Sequence, residues 1–171
     1  MNKYLGVHKS ELDTPNLVID KTKLEQNLAL MQSLAAEKGV EVRAHAKTHK
    51  CSTLAKLQLK FGCVGICVAK VSEALVLVRA GVSGLLLTSP VVTKLKITQL
   101  MELLKLAPDT MVVVDNLANV ADLNQALQAN NLLLRVLVDI DAGNGRNGVL
   151  LKDATFFIDE LSNSAQTKLC G

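Results

Sequence analysis

The chain has no tryptophan, a single tyrosine (Tyr4) and three phenylalanines in 171 residues, so it offers no aromatic platform on which bases could stack. Its net charge is only +3, without a basic stripe, which argues against a nucleic-acid partner on electrostatic grounds too. No apolar run is long enough to span a bilayer, and no basic amphipathic helix suits a membrane surface. The stretch from Met1 to Leu12 lacks the apolar core of a signal peptide. The four cysteines lack secretory spacing, so a reducing cytoplasm is the expected compartment.

Hydrophobic residues make up 49% of the chain, enough for one buried core in a soluble globular α/β protein. Apolar runs with strand character alternate with stretches of helical period, the pattern of a parallel sheet covered by helices. Asn16 to Ile19 reads as a short strand, and Asp20 as the cap of a helix to about Lys38 with Leu24, Leu28, Met31 and Ala35 on one face. Further strands are expected at Val42 to Ala46, Val64 to Ala69, Leu85 to Leu87, Met111 to Val114 and Leu132 to Ile140, with a last one beginning at Lys168. The helices between them are expected around Leu54 to Phe61 with a stop at Gly62, then at Glu73 to Ala80, Lys94 to Leu106, Leu117 to Ala129 and Thr155 to Ser162. Unbroken apolar strands imply burial on both faces, as in a barrel or a doubly wound sheet. Periodicity does not separate an interrupted (β/α)8 barrel, cut in about its sixth strand, from an open flavodoxin-like or Rossmann-like sheet.

Chemistry concentrates in Arg43-Ala44-His45-Ala46-Lys47-Thr48-His49-Lys50, at the end of an expected strand, where a barrel places its active site. Such a cluster also describes a solvated basic loop or an anion-binding edge. Lysine can form a Schiff base, and neighbouring cations or desolvation make its amine nucleophilic. If the strand ran on, Arg43, His45 and Lys47 would share one side. His45 and His49 are four apart, but a strand-to-loop transition does not hold helical chelating geometry, so no metal site is expected there. Gly143-Asn144-Gly145-Arg146-Asn147-Gly148 spells G-x-G-x-x-G after a strand, which keeps a nicotinamide-dependent oxidoreductase in view. Against it stand its late position and the repulsion of Asp139 and Asp141 toward a pyrophosphate. Cys63 and Cys67 read as small core residues, and Asp115-Asn116 as a strand end and helix cap.

Three segments taken together, Leu12-Asp13-Thr14-Pro15-Asn16-Leu17-Val18-Ile19-Asp20, the Lys47 cluster, and Val138-Asp139-Ile140-Asp141-Ala142-Gly143-Asn144-Gly145-Arg146-Asn147-Gly148-Val149, resemble the D-threonine aldolase and D-serine dehydratase family. Cys63 to Ala74 and Val113 to Val120 resemble its aldolase branch. This family belongs to the alanine-racemase-like pyridoxal-phosphate enzymes, which have a (β/α)8 barrel followed by a β-domain. The resemblance implies that Lys47 holds pyridoxal 5'-phosphate, although Ala44 stands where the family usually has proline. It implies that Arg146 reaches the cofactor's phenolic oxygen, that His45 packs near the cofactor or relays protons, and that Arg43 either keeps Lys47 reactive or closes the barrel floor. A divalent metal is implied as well, with ligands in the β-domain.

The expected organisation is an N-terminal strand and helix over residues 1–40 and an incomplete barrel over 41–171, without the β-domain. A length of 171 residues is short of the roughly 250 of a closed barrel, so the reading is the N-terminal part of a longer lyase. Its substrate would be a small D-β-hydroxy amino acid, cleaved to glycine and an aldehyde. D-Serine dehydration and a non-catalytic cofactor-binding remnant are the alternatives. Because the related enzymes build each site at a subunit interface, a homodimer is compatible with the reading.

Overall fold

The computed structural model describes residues 4–171, and the chain divides into two compact units, Met1–Val40 and Glu41–Gly171. In the first unit α1 (Lys21–Glu37) starts where the cap residue dictates: the Asp20 carboxylate accepts the Lys23 N–H at 3.0 Å. The strand expected at Asn16 to Ile19 does not form. A strand exists only through a ladder partner, and the described residues of this unit contain no second strand.

The second unit alternates strand and helix: β1 (Arg43–His45), α2 (Ser52–Lys60), β2 (Gly65–Val68), α3 (Val71–Arg79), β3 (Leu85–Leu87), α4 (Lys94–Leu106), β4 (Met111–Val114), α5 (Leu117–Asn130) and β5 (Leu134–Val138). Two short strands, β6 (Ile140–Asp141) and β7 (Val149–Leu150), then pair with each other before α6 (Ala154–Ser162) and β8 (Thr167–Leu169). The main sheet has six parallel strands in the order β1-β2-β3-β4-β5-β8. Each new strand joins the same edge, so the sheet has no switch point at which the order reverses. That rules out the doubly wound alternative, because right-handed crossovers that always advance in one direction put every helix on one face. The result is an arc of a (β/α) barrel.

The helix-covered face holds the core. Ile66, Leu85, Val112, Val114, Leu134 and Val136 are fully buried against Leu100, Leu103, Leu123 and Leu127. The other face carries Arg43, Cys67, Leu86, Met111, Val113, Arg135 and Leu137, and except for Cys67 these are half-buried or exposed. The expectation that all strands are buried on both faces therefore holds for β2 alone, while β3 and β4 alternate. The reason is geometric: this second face is the barrel interior, and it closes only where strands meet across it.

One glycine is demanded by close approach. A side chain at Gly65 would overlap both the Arg43 guanidinium and the Gly84 carbonyl. This lets Arg43, paired in register with Gly65, lay its guanidinium across β2 and donate to the Gly84 oxygen.

Candidate active site at the strand C-termini

β1 stops at His45, and Ala46–Thr48 tightens into one 3₁₀ turn. The strand alternation therefore ends before Lys47. Arg43 lies at the N-terminal end of β1, bonded to Gly84 ahead of β3, whereas Lys47 lies beyond the C-terminal end of the strand, in the 3₁₀ turn. The structure thus places Arg43 on the floor of the sheet, the second of the two positions the sequence left open to it. Its charge falls instead on Cys67, whose thiol burial pushes up and Arg43 partly restores. Cys67 is a buried core thiol, as its sequence context suggests.

Lys47 itself is exposed, and among the described residues no carboxylate pairs with it. Its backbone N–H donates to His45 Nδ1 at 3.2 Å. On the other side of the ring His45 Nε2 meets Thr88 Oγ1 at 3.0 Å, and that hydroxyl spends its own proton on the Val68 carbonyl. The hydroxyl can therefore only accept from the ring, so Nε2 carries the proton, Nδ1 is bare and the imidazole is neutral. Burial and then the nearby Lys47 charge hold its pKa below the ordinary value, which agrees with that assignment.

The turn that carries Lys47 is anchored at its far end. Lys50 adopts a left-handed conformation (φ 47°) and pairs with Glu73 at 3.3 Å. The other Glu73 oxygen accepts the Ala69 N–H at 3.0 Å, just ahead of α3. Burial alone would raise the Glu73 pKa, yet that N–H and the Lys50 ammonium hold it below the usual glutamate range. His49 faces a different neighbour, Gln58 on α2, at 3.2 Å. His45 and His49 thus engage separate partners. Among the described residues no three His, Cys, Asp or Glu side chains come together to hold a metal ion.

At the same C-terminal rim of the sheet, residues 139–149 form a second polar cluster after β5. The Asp141 carboxylate accepts the N–H groups of Gly143, Asn144 and Gly145 at 2.8 to 3.1 Å, which holds its pKa down. The glycine-rich turn therefore folds around its own carboxylate, and a strand follows it where a dinucleotide-binding turn needs a helix N-terminus. That removes the basis of the oxidoreductase alternative. Gly148 is required here: its φ is +101°, and a Cβ would stand 2.5 Å from the Asp141 nitrogen. Its N–H donates to Asp115 at 3.0 Å, which pins the turn to the end of β4.

Asp139 extends from the end of β5 toward the same place. Burial and the Asp115 charge raise its pKa, while Arg146 and Asn147 oppose the rise. Arg146 is exposed, with Nε donating to Asn147 Oδ1 at 2.8 Å, and the Asn147 amide in turn donates to Asp139. From the sequence alone Asp115 reads as a strand end beside a cap. Asn116 is indeed the cap, accepting the Asn119 N–H at 3.1 Å, but Asp115 holds the Arg146 turn. A carboxylate at the C-terminal end of a barrel strand was the available signal.

The family model described as "Alanine racemase, N-terminal domain" matches residues 19–171. The chain is 38% identical over 161 residues to a 3-hydroxy-D-aspartate aldolase of Paracoccus denitrificans (strain Pd 1222), covering 94% of this chain and 42% of that protein. It is 41% identical over 140 residues to a D-threonine aldolase of Arthrobacter sp., covering 82% and 37% of the two. The crystal structure of D-threonine aldolase from Filomicrobium marinum superposes with a TM-score of 0.89 at 36% identity, over 93% of this chain and 43% of that one. The chain thus spans less than half the length of these relatives.

Proposed function

This chain belongs to the alanine racemase N-terminal domain family, and on that premise we propose that it forms the cofactor-holding portion of a pyridoxal-phosphate-dependent lyase for D-β-hydroxy amino acids. The reaction proposed is aldolase-type cleavage to glycine and an aldehyde. The observation that carries this reading is an unpaired lysine amine at the C-terminal rim of the parallel sheet, beside a neutral imidazole, with an exposed guanidinium on the turn that follows β5 at the same rim. Both named relatives are aldolases acting on D-configured hydroxy amino acids, which favours cleavage over D-serine dehydration.

The donor set fits a pyridoxal ring. Lys47 would supply the amine that holds the cofactor's aldehyde carbon, and its exposure leaves that amine open to a ligand. His45, neutral and fixed by Thr88 and by the Lys47 N–H, would present a ring of settled orientation to the cofactor. Arg146 would donate to the phenolic oxygen from the turn after β5 at the same rim, four strands away in the sheet order. When bound, the cofactor supplies an electron sink for the bonds broken at the substrate α-carbon. The protein's part is to hold that ring, and to keep Lys47 available to take or return a proton.

Arg43 carries no role at the mouth in this reading; it ties β1 to the Gly84 turn. No described residue is assigned to the divalent metal implied by the resemblance. The test is to mix the chain with pyridoxal phosphate, reduce with borohydride and map the labelled lysine. Label concentrated at Lys47 supports the reading, and label spread over many lysines overturns it. Product analysis with D-threonine and D-serine, in a molecule carrying the rest of the relatives' length, decides the reaction. Glycine and aldehyde support the aldolase, and ammonia with pyruvate establishes the dehydratase.

A further inference from the structure

We propose that Asn147 is a positioning residue: its side-chain amide links the Asp139 carboxylate to Arg146 and turns the guanidinium's Nη groups toward the ligand. The inference rests on the reading of Arg146 as a donor to a bound cofactor. Arg146 offers donors along two edges, and the Nε edge is already occupied by Asn147 Oδ1 at 2.8 Å. The Asn147 amide nitrogen donates to Asp139 Oδ2. This orientation of the amide is the only one that satisfies both neighbours, because a flipped amide would set donor against donor at Nε and acceptor against carboxylate at Asp139.

The chain of contacts has a charge at each end and a neutral dipole between them. Asp139, half-buried and next to Asp115, is the anchor. Asn147 transmits that anchor across a distance Asp139 does not itself bridge to Arg146 by a hydrogen bond. The turn is held on two further points, three N–H groups on Asp141 and the Gly148 N–H on Asp115. An exposed arginine would otherwise sample many rotamers, and that freedom is lost when the side chain is ordered. With Nε tied down, the two Nη groups form the free end, and that end is the one able to meet an anionic oxygen.

Two side chains at position 147 separate this role from mere packing. Asn147→Leu keeps the branched shape and heavy-atom count and removes both hydrogen bonds. Asn147→Gln restores an amide on a longer arm and should recover part of the effect. The first readout needs no cofactor: the Arg146 Nε–H signal in ¹⁵N NMR, with its exchange rate. Asn147→Leu is expected to speed that exchange about tenfold, Asp139→Ala, which removes the acceptor, to speed it as well, and the double variant to add little, since both cut one chain of contacts. An Arg146 signal unmoved by Asn147→Leu overturns the proposal. Unchanged amide signals outside residues 139–149 verify that the variant is folded.

The second readout uses pyridoxal phosphate as the probe. A cation held against the cofactor's oxygen opposes an added proton on the bound chromophore. Freeing Arg146 in Asn147→Leu should therefore raise the pH midpoint of the visible band by about 0.5 unit, roughly a threefold gain in proton affinity, with label at Lys47 undiminished. Equal labelling with an unmoved midpoint also overturns the proposal. If the unaltered chain takes no label at Lys47, it is the proposed function that falls, and the NMR arm still judges the Asn147 link on its own.

Discussion

Replacing Gly65 by alanine should destabilise the sheet strongly. The new Cβ would overlap Arg43 Nη1 and the Gly84 carbonyl oxygen and lie 2.7 Å from Arg43 Cζ. The arginine can swing aside, but it then gives up its bond to the Gly84 carbonyl, and a hydrogen bond from a charged donor is worth about 1.5–3 kcal/mol. The carbonyl is less free to move, because it also accepts the Ile66 N–H at 3.1 Å and so belongs to the contact between β2 and the turn before β3. Forcing that contact apart is an overpacking cost of about 1–3 kcal/mol. Together these give a loss of about 2.5–6 kcal/mol, a large part of the roughly 5–15 kcal/mol that holds a domain folded. Urea unfolding followed by circular dichroism measures it, and with a slope of about 2 kcal/mol per molar the midpoint should fall by about 2 M. Pairing the change with Arg43→Ala should recover only the arginine's share, since the carbonyl overlap stays. A loss below about 1 kcal/mol, or full recovery in the double variant, would refute the argument.

Lowering the pH should weaken the fold through His45. Its folded-state pKa lies below the ordinary 6.5, so the neutral ring contributes fully above that value and the contribution is lost as pH falls through the folded-state pKa. His45→Gln should flatten that fall in urea midpoints measured across the range, and an unchanged slope would count against it. Lys47→Ala removes a charge that depresses the His45 pKa, so the imidazole NMR titration should move upward; a downward move would contradict the geometry. Thr88→Val leaves His45 Nε2 and the Val68 carbonyl without their shared hydroxyl, at a cost of about 1–3 kcal/mol in urea unfolding, and no loss would mean the tautomer is set otherwise. Gly148→Ala should release the Asp115 contact and displace the Arg146 turn, read as faster exchange of the Gly143 to Gly145 amides; exchange as slow as in the parent would refute it.

The regular elements were legible because their signals are local. Leu85–Leu87, Lys94–Leu106 and Met111–Val114 fall where apolar runs and helical period place them. Asp20 and Asn116 start their helices through their own carboxylate and amide oxygens, one turn away in sequence. β5 ends sooner than its apolar run suggests, at Val138, and only a short pair resumes beyond Asp139. Asn16 to Ile19 has the composition of a strand but no neighbour to pair with.

The sequence by itself determined the alternation of strand and helix, the family to which the chain belongs, and the lysine that its motif singles out at the end of β1. Those are matters of period and local pattern, carried by residues a few places apart. Tertiary structure alone decided the order of the six strands, which excludes the doubly wound sheet, and the separation of Arg43 from Lys47. It also decided that His45 is neutral, through a threonine 43 residues away, and that Asp115 reaches across 33 residues to hold the Arg146 turn. These follow from parallel pairing, which brings the ends of distant strands to one rim, and no pattern within a single strand records which neighbour it will meet.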